Sequence, residues 1–177
     1  MAERGAAIVL IGFMGAGKSS AGRALARRTR LPLFDTDALV SERLGMSIAE
    51  IFAQRGEDEF RAQETATLLA ISPAPSVVVT GGGVVLRSEN VTAMKQLGIV
   101  VHLTADEETL FERATRRAIR PLLQTADPRA TFAELLHARA PLYESAADVV
   151  VDTAGKRHEE VVTAVLEAVA NLGSHVG

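Results

Sequence analysis

Three stretches of the chain carry residues whose types and spacing suit phosphoryl transfer. The first, Gly12-Phe13-Met14-Gly15-Ala16-Gly17-Lys18-Ser19, fits the pattern G-x-x-x-x-G-K-[ST]. The glycines let backbone N–H groups converge on phosphate oxygens, while Lys18 can reach the terminal phosphates and Ser19 can ligate Mg²⁺. The alternative, a Gly-rich turn without a ligand, is disfavoured because the full pattern stands between a predicted strand and a predicted helix, the setting it requires.

The second stretch is "FDTDALV", in which Asp35 and Asp37 are separated by one residue. They follow a predicted strand, and open α/β sheets bind ligands at the carboxyl ends of their strands. One carboxylate could orient the Mg²⁺ shell while the other accepts a proton from an acceptor hydroxyl. Taken alone, however, the pair is better explained by a turn at Asp35 and a helix cap at Asp37.

The third group consists of Arg61 in "EFRAQET" and the glycines Gly81, Gly82 and Gly83 in "VVVTGGGVV". Three glycines after a buried strand permit close approach of the backbone to a small ligand. A flexible turn is the alternative for the glycines. A solvent-facing helical side chain is the alternative for the arginine.

The elements that must position these residues alternate between strand and helix, which predicts a parallel α/β sheet. Short apolar runs predict five strands, at 7–13, a segment ending near 35, 76–80, 99–103 and 148–152. Helical periodicity predicts helices at 18–28, 38–44, 47–54, 57–70, 89–97, 105–117, 129–140 and 159–172. Ser47 with Glu50 forms a capping-box pattern.

Composition narrows the classes of protein that remain. The 177 residues predict one domain, 1–177, and a net charge of −3 gives no general attraction to nucleic acid or anionic membrane. The absence of cysteine excludes disulfides, thiolate metal sites and cysteine nucleophiles. Neither a signal peptide nor an apolar run of membrane-helix length is evident. A cytoplasmic location is therefore expected.

The phosphate-binding loop together with "DTD", "EFR", "GGG", "RPLL" and "RAPLY", in this order and at these spacings, resembles the shikimate kinase family from about Ile8 to Lys156. The resemblance implies a three-layer α/β/α P-loop kinase fold similar to nucleoside monophosphate kinases. Its five-stranded parallel sheet would have the order 2-3-1-4-5, with a mobile lid at about 113–126. It further implies transfer of the γ-phosphoryl of ATP to the 3-hydroxyl of shikimate, a step toward chorismate and the aromatic amino acids, with Mg²⁺ as cofactor. A monomer without nucleic-acid or membrane partners is expected.

The resemblance also implies a role for each matching residue. Catalytic roles fall on Lys18, Asp37 and Arg120, and Mg²⁺ binding falls on Ser19 and Asp35. The residues expected at the nucleotide are Gly15, Ala16, Gly17, Lys18, Ser19, Ser20, Arg113, Arg120 and Lys156. The residues expected at shikimate are Asp37, Arg61, Gly81, Gly82, Gly83 and Arg139, the two arginines gripping its carboxylate. Tyr143 is expected to pack behind Arg139.

One stretch departs from the family pattern. Family lids often carry Gly with Asn or Asp just before the "RPLL" arginine, whereas this chain has "ATRRAIRPLL". The preceding helix is therefore expected to run further into the lid, with Arg116 and Arg117 on a solvent-facing side. None of His102, His137, His158 and His175 shows metal-ligand spacing, and no catalytic role is expected for them.

Two other functions are alternatives to the shikimate kinase hypothesis. Gluconate kinase shares the P-loop and the scaffold but does not combine "DTD", "EFR", "GGG" and "RAPLY". A non-catalytic module that senses shikimate or ATP should lack Lys18, Asp37 or Arg120, and the chain keeps all three. Whether a related cyclic polyol acid is the substrate, and whether Asp37 takes the proton or only orients the hydroxyl, stay open at this point.

Overall fold

The computed structural model describes residues 6–116 and 120–174, and these residues form a five-stranded parallel sheet in the order β2-β3-β1-β4-β5. Strands β1 to β5 span Ala7–Ile11, Leu33–Asp35, Val77–Val79, Gly98–Thr104 and Val149–Asp152. The predicted order is therefore confirmed. The two strands that flank β1 pair with it in parallel, Val9 opposite Val78 of β3 and Val100 of β4.

Helices cover both faces of this sheet, which confirms the three-layer fold. Helices α1 to α7 of the described residues span Lys18–Thr29, Thr36–Leu44, Ile48–Leu69, Ser88–Leu97, Glu107–Arg116, Pro128–Ala146 and His158–Ser174. The five residues of β1 are all buried, as expected for a central parallel strand covered on both sides. The chain visits β2 and β3 on one side of β1 and then crosses to β4 on the other. Ligands bind at such a reversal in open α/β sheets.

The segments predicted as two helices, 47–54 and 57–70, form the single element α3. Its start carries the predicted capping box, since the Ser47 hydroxyl accepts from the Glu50 N–H and the Glu50 carboxylate accepts from the Ser47 N–H. Gly56 interrupts the helical backbone with φ 82° and ψ 169°. The prediction of a break was therefore correct, and its cause is a conformation that favours glycine.

Helix α6 is longer than predicted. The prediction ended it at Ala140, one residue before a proline, which lacks the N–H that a helix interior needs. The helix instead runs through Pro141 to Ala146. Tyr143 and Ala146 are both buried in the main core, so packing of the last turn outweighs the one missing hydrogen bond. The extension decides where the only tyrosine of the chain lies.

The lid falls partly outside the described residues. Helix α5 is described as far as Arg116, and residues 117–119, including Arg117, lie outside. The expectation that this helix continues into the lid falls on those residues. After them, Pro121–Leu123 forms a short 3₁₀ turn. In the described ranges, no helix combines the length and the apolar character that crossing a membrane requires.

Candidate active site

A cavity of about 710 Å³ opens at the carboxyl edge of the sheet. The loops that follow β1, β2, β3 and β5 all contribute to its lining. The predicted site residues that line it are Gly15, Ala16, Gly17, Lys18, Ser19, Ser20, Asp35, Asp37, Gly81, Gly82, Arg113, Arg120 and Lys156. The other three predicted residues, Arg61, Gly83 and Arg139, do not line this cavity.

The loop after β1 has the backbone geometry of an anion cradle. Gly15 and Gly17 have φ values of 85° and 86°, in the region that favours glycine. A β-carbon on Gly15 would also collide with the Leu110 carbonyl group of α5. Gly17 is the N-cap of α1 and supplies no side-chain hydrogen bond. No side chain therefore caps the first N–H groups of α1. These groups form the positive end of the helix, which faces the cavity.

Lys18 lies across this loop. Its ammonium group donates to the carbonyl oxygens of Gly12 at 2.7 Å and Phe13 at 3.2 Å. Burial lowers the pKa of Lys18 to about 8; Asp37 opposes this shift, and the nearby positive charge of Arg120 adds to it. The lysine is thus a partly desolvated cation, held in place and close to the lid arginine.

The positions of the two aspartates differ from the interpretation that places a turn at Asp35 and the helix cap at Asp37. Asp35, not Asp37, is the N-cap of α2, since its Oδ1 accepts from the N–H groups of Asp37 at 3.1 Å and Ala38 at 3.2 Å. Asp37 sits in the first turn, and its Oδ1 is buried with no hydrogen-bond partner among the described residues. Burial raises the pKa of Asp37, helped by Asp35 and opposed by Lys18, so its carboxylate is a stronger base than an exposed aspartate.

The glycine-rich segment after β3 forms one wall of the site. Thr80 fixes its start, because the Thr80 hydroxyl donates to the Leu10 carbonyl of β1 at 2.8 Å. An ideal β-carbon on Gly81 would lie 2.7 Å from Asp37 Oδ1. A β-carbon on Gly83 would collide with the Arg61 guanidinium. The absence of side chains here is therefore required for the backbone to approach both residues.

Arg61 is buried, so the alternative of a solvent-facing arginine is wrong. Its Nη1 donates to Glu64 at 3.1 Å and its Nη2 donates to Glu57 at 3.2 Å. Glu64 is completely buried, and burial raises its pKa against the lowering effect of Arg61. Glu64 was not among the site residues predicted from the sequence. A carboxylate three residues after an arginine on a predicted helix, the spacing of a facing pair, was the available signal.

Arg139 approaches the same region from α6. It is buried, with its guanidinium carbon 5.8 Å from the centre of the Phe13 ring. Its charge lowers the pKa values of Glu64 and Tyr143, against the larger raising effect of burial on both. Arg61 and Arg139 thus both act electrostatically on Glu64, so two buried cations lie near the same carboxylate. Tyr143 lies beside Arg139, as expected.

The predicted nucleotide end is built from α5 and the loop after β5. Arg113 donates to Thr153 twice, to the hydroxyl at 2.9 Å and to the carbonyl at 3.1 Å. This clamp fixes the loop that carries Lys156. Arg120 is half-buried, and its Nε donates to the Ala114 carbonyl at 3.4 Å. The Arg116 side chain is 69% exposed and pairs with Glu112 at 3.7 Å, which fits the predicted solvent-facing side, although Arg116 also borders the cavity.

Comparison with known proteins gives one consistent result. A family model described as shikimate kinase matches residues 14–170. A shikimate kinase of Thermodesulfovibrio yellowstonii is 42% identical over 168 residues, covering 94% of this chain and 96% of that one. A shikimate kinase of Bordetella pertussis is 47% identical over 147 residues, covering 82% and 70% of the two chains.

Solved structures agree with these relatives. A shikimate kinase from Acinetobacter baumannii in complex with shikimate superposes with a TM-score of 0.87 at 32% identity, covering 96% of this chain and 95% of that chain. A gluconokinase from Sinorhizobium meliloti superposes with a TM-score of 0.54 at 21% identity, covering 98% and 97%. At that identity the second likeness concerns the fold alone.

Proposed function

The chain belongs to the shikimate kinase family, and we infer from this membership that it transfers the γ-phosphoryl group of ATP to the 3-hydroxyl of shikimate. The products are shikimate 3-phosphate and ADP, and the reaction is a step toward chorismate and the aromatic amino acids. The observation that carries the assignment to particular residues is the convergence of the P-loop, Asp37, the glycine-rich wall and Arg120 on one cavity. The residue roles below are proposals that this convergence supports.

We propose that the acceptor lies against the glycine-rich wall with its carboxylate toward Arg61 and Arg139. Both arginines are buried, and a guanidinium can give a carboxylate two parallel hydrogen bonds. Asp37 lines the cavity and then faces the hydroxyl groups, where its carboxylate can accept. The backbone of Gly81, Gly82 and Gly83 supplies contacts without side chains in the way.

The nucleotide phosphates would lie over the loop after β1. That placement is supported by the uncapped first turn of α1. It is also supported by residues of the loop and helix start that line the cavity, namely Gly15, Ala16, Gly17 and Ser20. Lys18 and Arg120 supply positive charge where charge develops on the transferred group. Arg113 and Lys156 lie at the end of the cavity formed by α5 and the loop after β5, which suits contact with the nucleoside.

The donors around the P-loop fit a Mg²⁺ ion that arrives with the nucleotide. Asp35 uses Oδ1 for two backbone N–H groups, which leaves Oδ2 for a water of the ion's shell, and Ser19 lines the same cavity. Within residues 6–116 and 120–174, no group of three His, Asp or Glu residues could hold a metal by itself. This agrees with Mg²⁺, which keeps several waters and takes phosphate oxygens as ligands. When bound, the ion would neutralise charge on the phosphates.

The proton of the reacting hydroxyl would pass to Asp37. Burial and Asp35 raise the pKa of this carboxyl, which makes the carboxylate a better acceptor. Asp37 also orients the hydroxyl for in-line attack on the γ-phosphorus. Closure of the lid at about 113–126 would bring Arg120 onto the phosphates and exclude water that would otherwise consume ATP.

The domain organisation, oligomeric state and compartment are part of the same proposal. We propose a single domain over 1–177 that acts as a monomer, as the family resemblance implies. The cytoplasm is the compartment we propose, since ATP is the phosphoryl donor there. No nucleic acid or membrane takes part in the proposed reaction.

The direct test is coupled ADP release by the purified protein with Mg·ATP, comparing shikimate with gluconate. Turnover that requires shikimate, with shikimate 3-phosphate identified as product, is the expected result. Turnover on gluconate alone would replace the substrate assignment. ATP binding without turnover on either acid would favour a sensing module.

A further inference from the structure

Tyr143 is buried at 1% exposure between the predicted substrate site and the sheet, and the reaction proposed above does not use it. It reaches this position because α6 continues past Pro141. Tyr143 stands four residues after Arg139, so both side chains leave the same face of the helix. A side chain from the second half of α6 thereby lies next to the glycine-rich wall.

The Tyr143 hydroxyl has two polar neighbours. It donates to the carbonyl oxygen of Gly82, the middle glycine of the wall. The positive charge of Arg139 also acts on the phenol, lowering its pKa against the raising effect of burial, which prevails and brings that pKa to about 12. The phenol is therefore neutral at physiological pH and keeps its proton for the Gly82 carbonyl.

The ring of Tyr143 is fixed from the other side by His102 of β4. The two rings stack with centroids 5.1 Å apart and an angle of 21° between their planes. Burial, together with the charge of Lys18, lowers the pKa of His102 to about 4, so the stack is between two neutral rings. The phenol is thus held on a strand of the central sheet and can move little.

Three successive glycines have more backbone freedom than any other tripeptide, and fixing them needs an external contact. Thr80 holds the start of the segment, and Tyr143 is the side chain that holds its middle. The bond to the Gly82 carbonyl fixes the peptide plane between Gly82 and Gly83. That plane sets the direction of backbone groups facing the acceptor.

We propose that Tyr143 is a positioning residue of the acceptor site, whose hydroxyl, one helical turn from the carboxylate-binding Arg139, holds the Gly82 carbonyl and so presets the glycine-rich wall for the acceptor molecule. The proposal rests on the proposed function, since it assumes that the acceptor is held by Arg139 and by the glycine-rich wall. It predicts an effect on acceptor affinity that leaves the nucleotide end unchanged.

The chain offers a direct optical test, because it contains one tyrosine and no tryptophan. Emission excited at wavelengths that phenylalanine does not absorb therefore comes from Tyr143 alone. We expect titration of the wild-type chain with shikimate, without nucleotide, to change this emission with a saturation curve that matches the affinity measured by calorimetry. Constant emission while calorimetry records binding would overturn the proposal. The Tyr143→Phe protein is the spectroscopic blank.

Kinetics of Tyr143→Phe test the hydroxyl separately from the ring, which the variant keeps. We expect the KM for shikimate to rise about three- to tenfold, as for loss of one hydrogen bond, while the KM for ATP stays within about twofold. Thr92→Val is a matched control, because it removes an exposed hydroxyl that also donates to a backbone carbonyl, that of Ser88 at 3.2 Å on α4. Both constants should be unchanged in the control.

The outcomes of these measurements distinguish a failure of the positioning role of Tyr143 from a failure of the proposed function. A wild-type chain that phosphorylates shikimate, with a folded Tyr143→Phe protein of unchanged KM for shikimate, would overturn the positioning role alone. An equal rise of both KM values would also overturn it, because that indicates general loosening. A wild-type chain that neither binds nor phosphorylates shikimate would overturn the proposed function and the positioning role with it. If the variant does not fold, the wild-type emission titration decides.

Discussion

Asp37 and Glu64 direct one carboxylate oxygen each at the same small volume above Gly81. An ideal β-carbon on that glycine would lie 2.7 Å from Asp37 Oδ1 and 2.5 Å from Glu64 Oε1. Both oxygens are buried, and neither has a hydrogen-bond partner among the described residues. Burying unpaired carboxylate oxygens is costly, and hydroxyl donors of an acceptor would relieve that cost. The two carboxylates therefore pack directly against Gly81, at the edge of the cavity that Asp37 and Gly81 line.

Gly81→Ala tests this volume. The added methyl group must push the ends of two buried side chains apart, and one of them is the proposed base Asp37. We expect kcat/KM for shikimate to fall by about 100-fold, equivalent to about 2.7 kcal/mol, with little change in nucleotide affinity. Steady-state kinetics at varied shikimate and saturating ATP measure the first quantity, and calorimetry with ADP measures the second.

Gly173→Ala is the control for that substitution. Gly173 lies in α7, and a β-carbon there meets no atom within 4 Å. Its kinetics should equal those of the wild type. A Gly81→Ala protein with normal kinetics would show that the close packing of Asp37 and Glu64 against Gly81 is not needed for the acceptor.

Arg139→Ala tests the carboxylate end of the acceptor. Because the arginine is buried, removing it leaves the bound carboxylate without a partner, and we expect shikimate binding to weaken by about 2–5 kcal/mol. Calorimetric titration with shikimate measures the loss. Arg28→Ala is the control. It removes a 55% exposed arginine at the C-terminal end of α1, which pairs with Glu159 of α7, and it should bind shikimate normally. Unchanged affinity of Arg139→Ala would remove this residue from the acceptor site.

Local patterns were enough to predict a parallel α/β sheet and the P-loop, whereas the order of the strands followed from the family resemblance. The apolar run of β1 and the small residues after it leave few alternative structures. The glycine-rich wall and the buried state of Arg61 required more than local pattern, because a helical arginine and three glycines are each compatible with a solvent-exposed segment. The ordered set of motifs, not any one of them, made the prediction specific.

The details that sequence reasoning missed depend on tertiary packing. Asp35 caps α2 instead of Asp37, and the choice depends on the exact residue at which β2 ends, which propensities do not fix. Helix α6 passes Pro141 because its last turn buries Tyr143, a gain that a local proline rule does not include. Glu64 was missed because glutamate in a helix is usually exposed, and only its neighbours Arg61 and Arg139 make its burial possible.

Asp37→Asn tests the proposed base. The amide has nearly the same shape but cannot accept the proton, so we expect kcat to fall by about 100-fold or more while ATP still binds. Quenched-flow measurement of shikimate 3-phosphate gives the rate, and calorimetry gives nucleotide affinity. If kcat is unchanged, Asp37 orients the hydroxyl without taking its proton.

Lys18 should make nucleotide binding depend on pH. Burial lowers the pKa of its ammonium group to about 8 in the free chain, so about half of it is uncharged at pH 8. Bound phosphates favour the charged form and raise that pKa again. Nucleotide binding must therefore take up about half a proton at pH 8 and about 0.1 at pH 7, and affinity must fall as pH rises above about 8, by at most about tenfold per unit.

Proton uptake is measured by calorimetric titration with ADP in buffers of different ionisation enthalpy, because the apparent enthalpy changes in proportion to the protons exchanged. Lys18→Met is the control; it should bind ADP more weakly and take up no proton at pH 8, since the titrating group is gone. The sign of the effect is decisive. Proton release, or an uptake that persists in Lys18→Met, would show that another group titrates and that Lys18 is already fully charged before the nucleotide arrives.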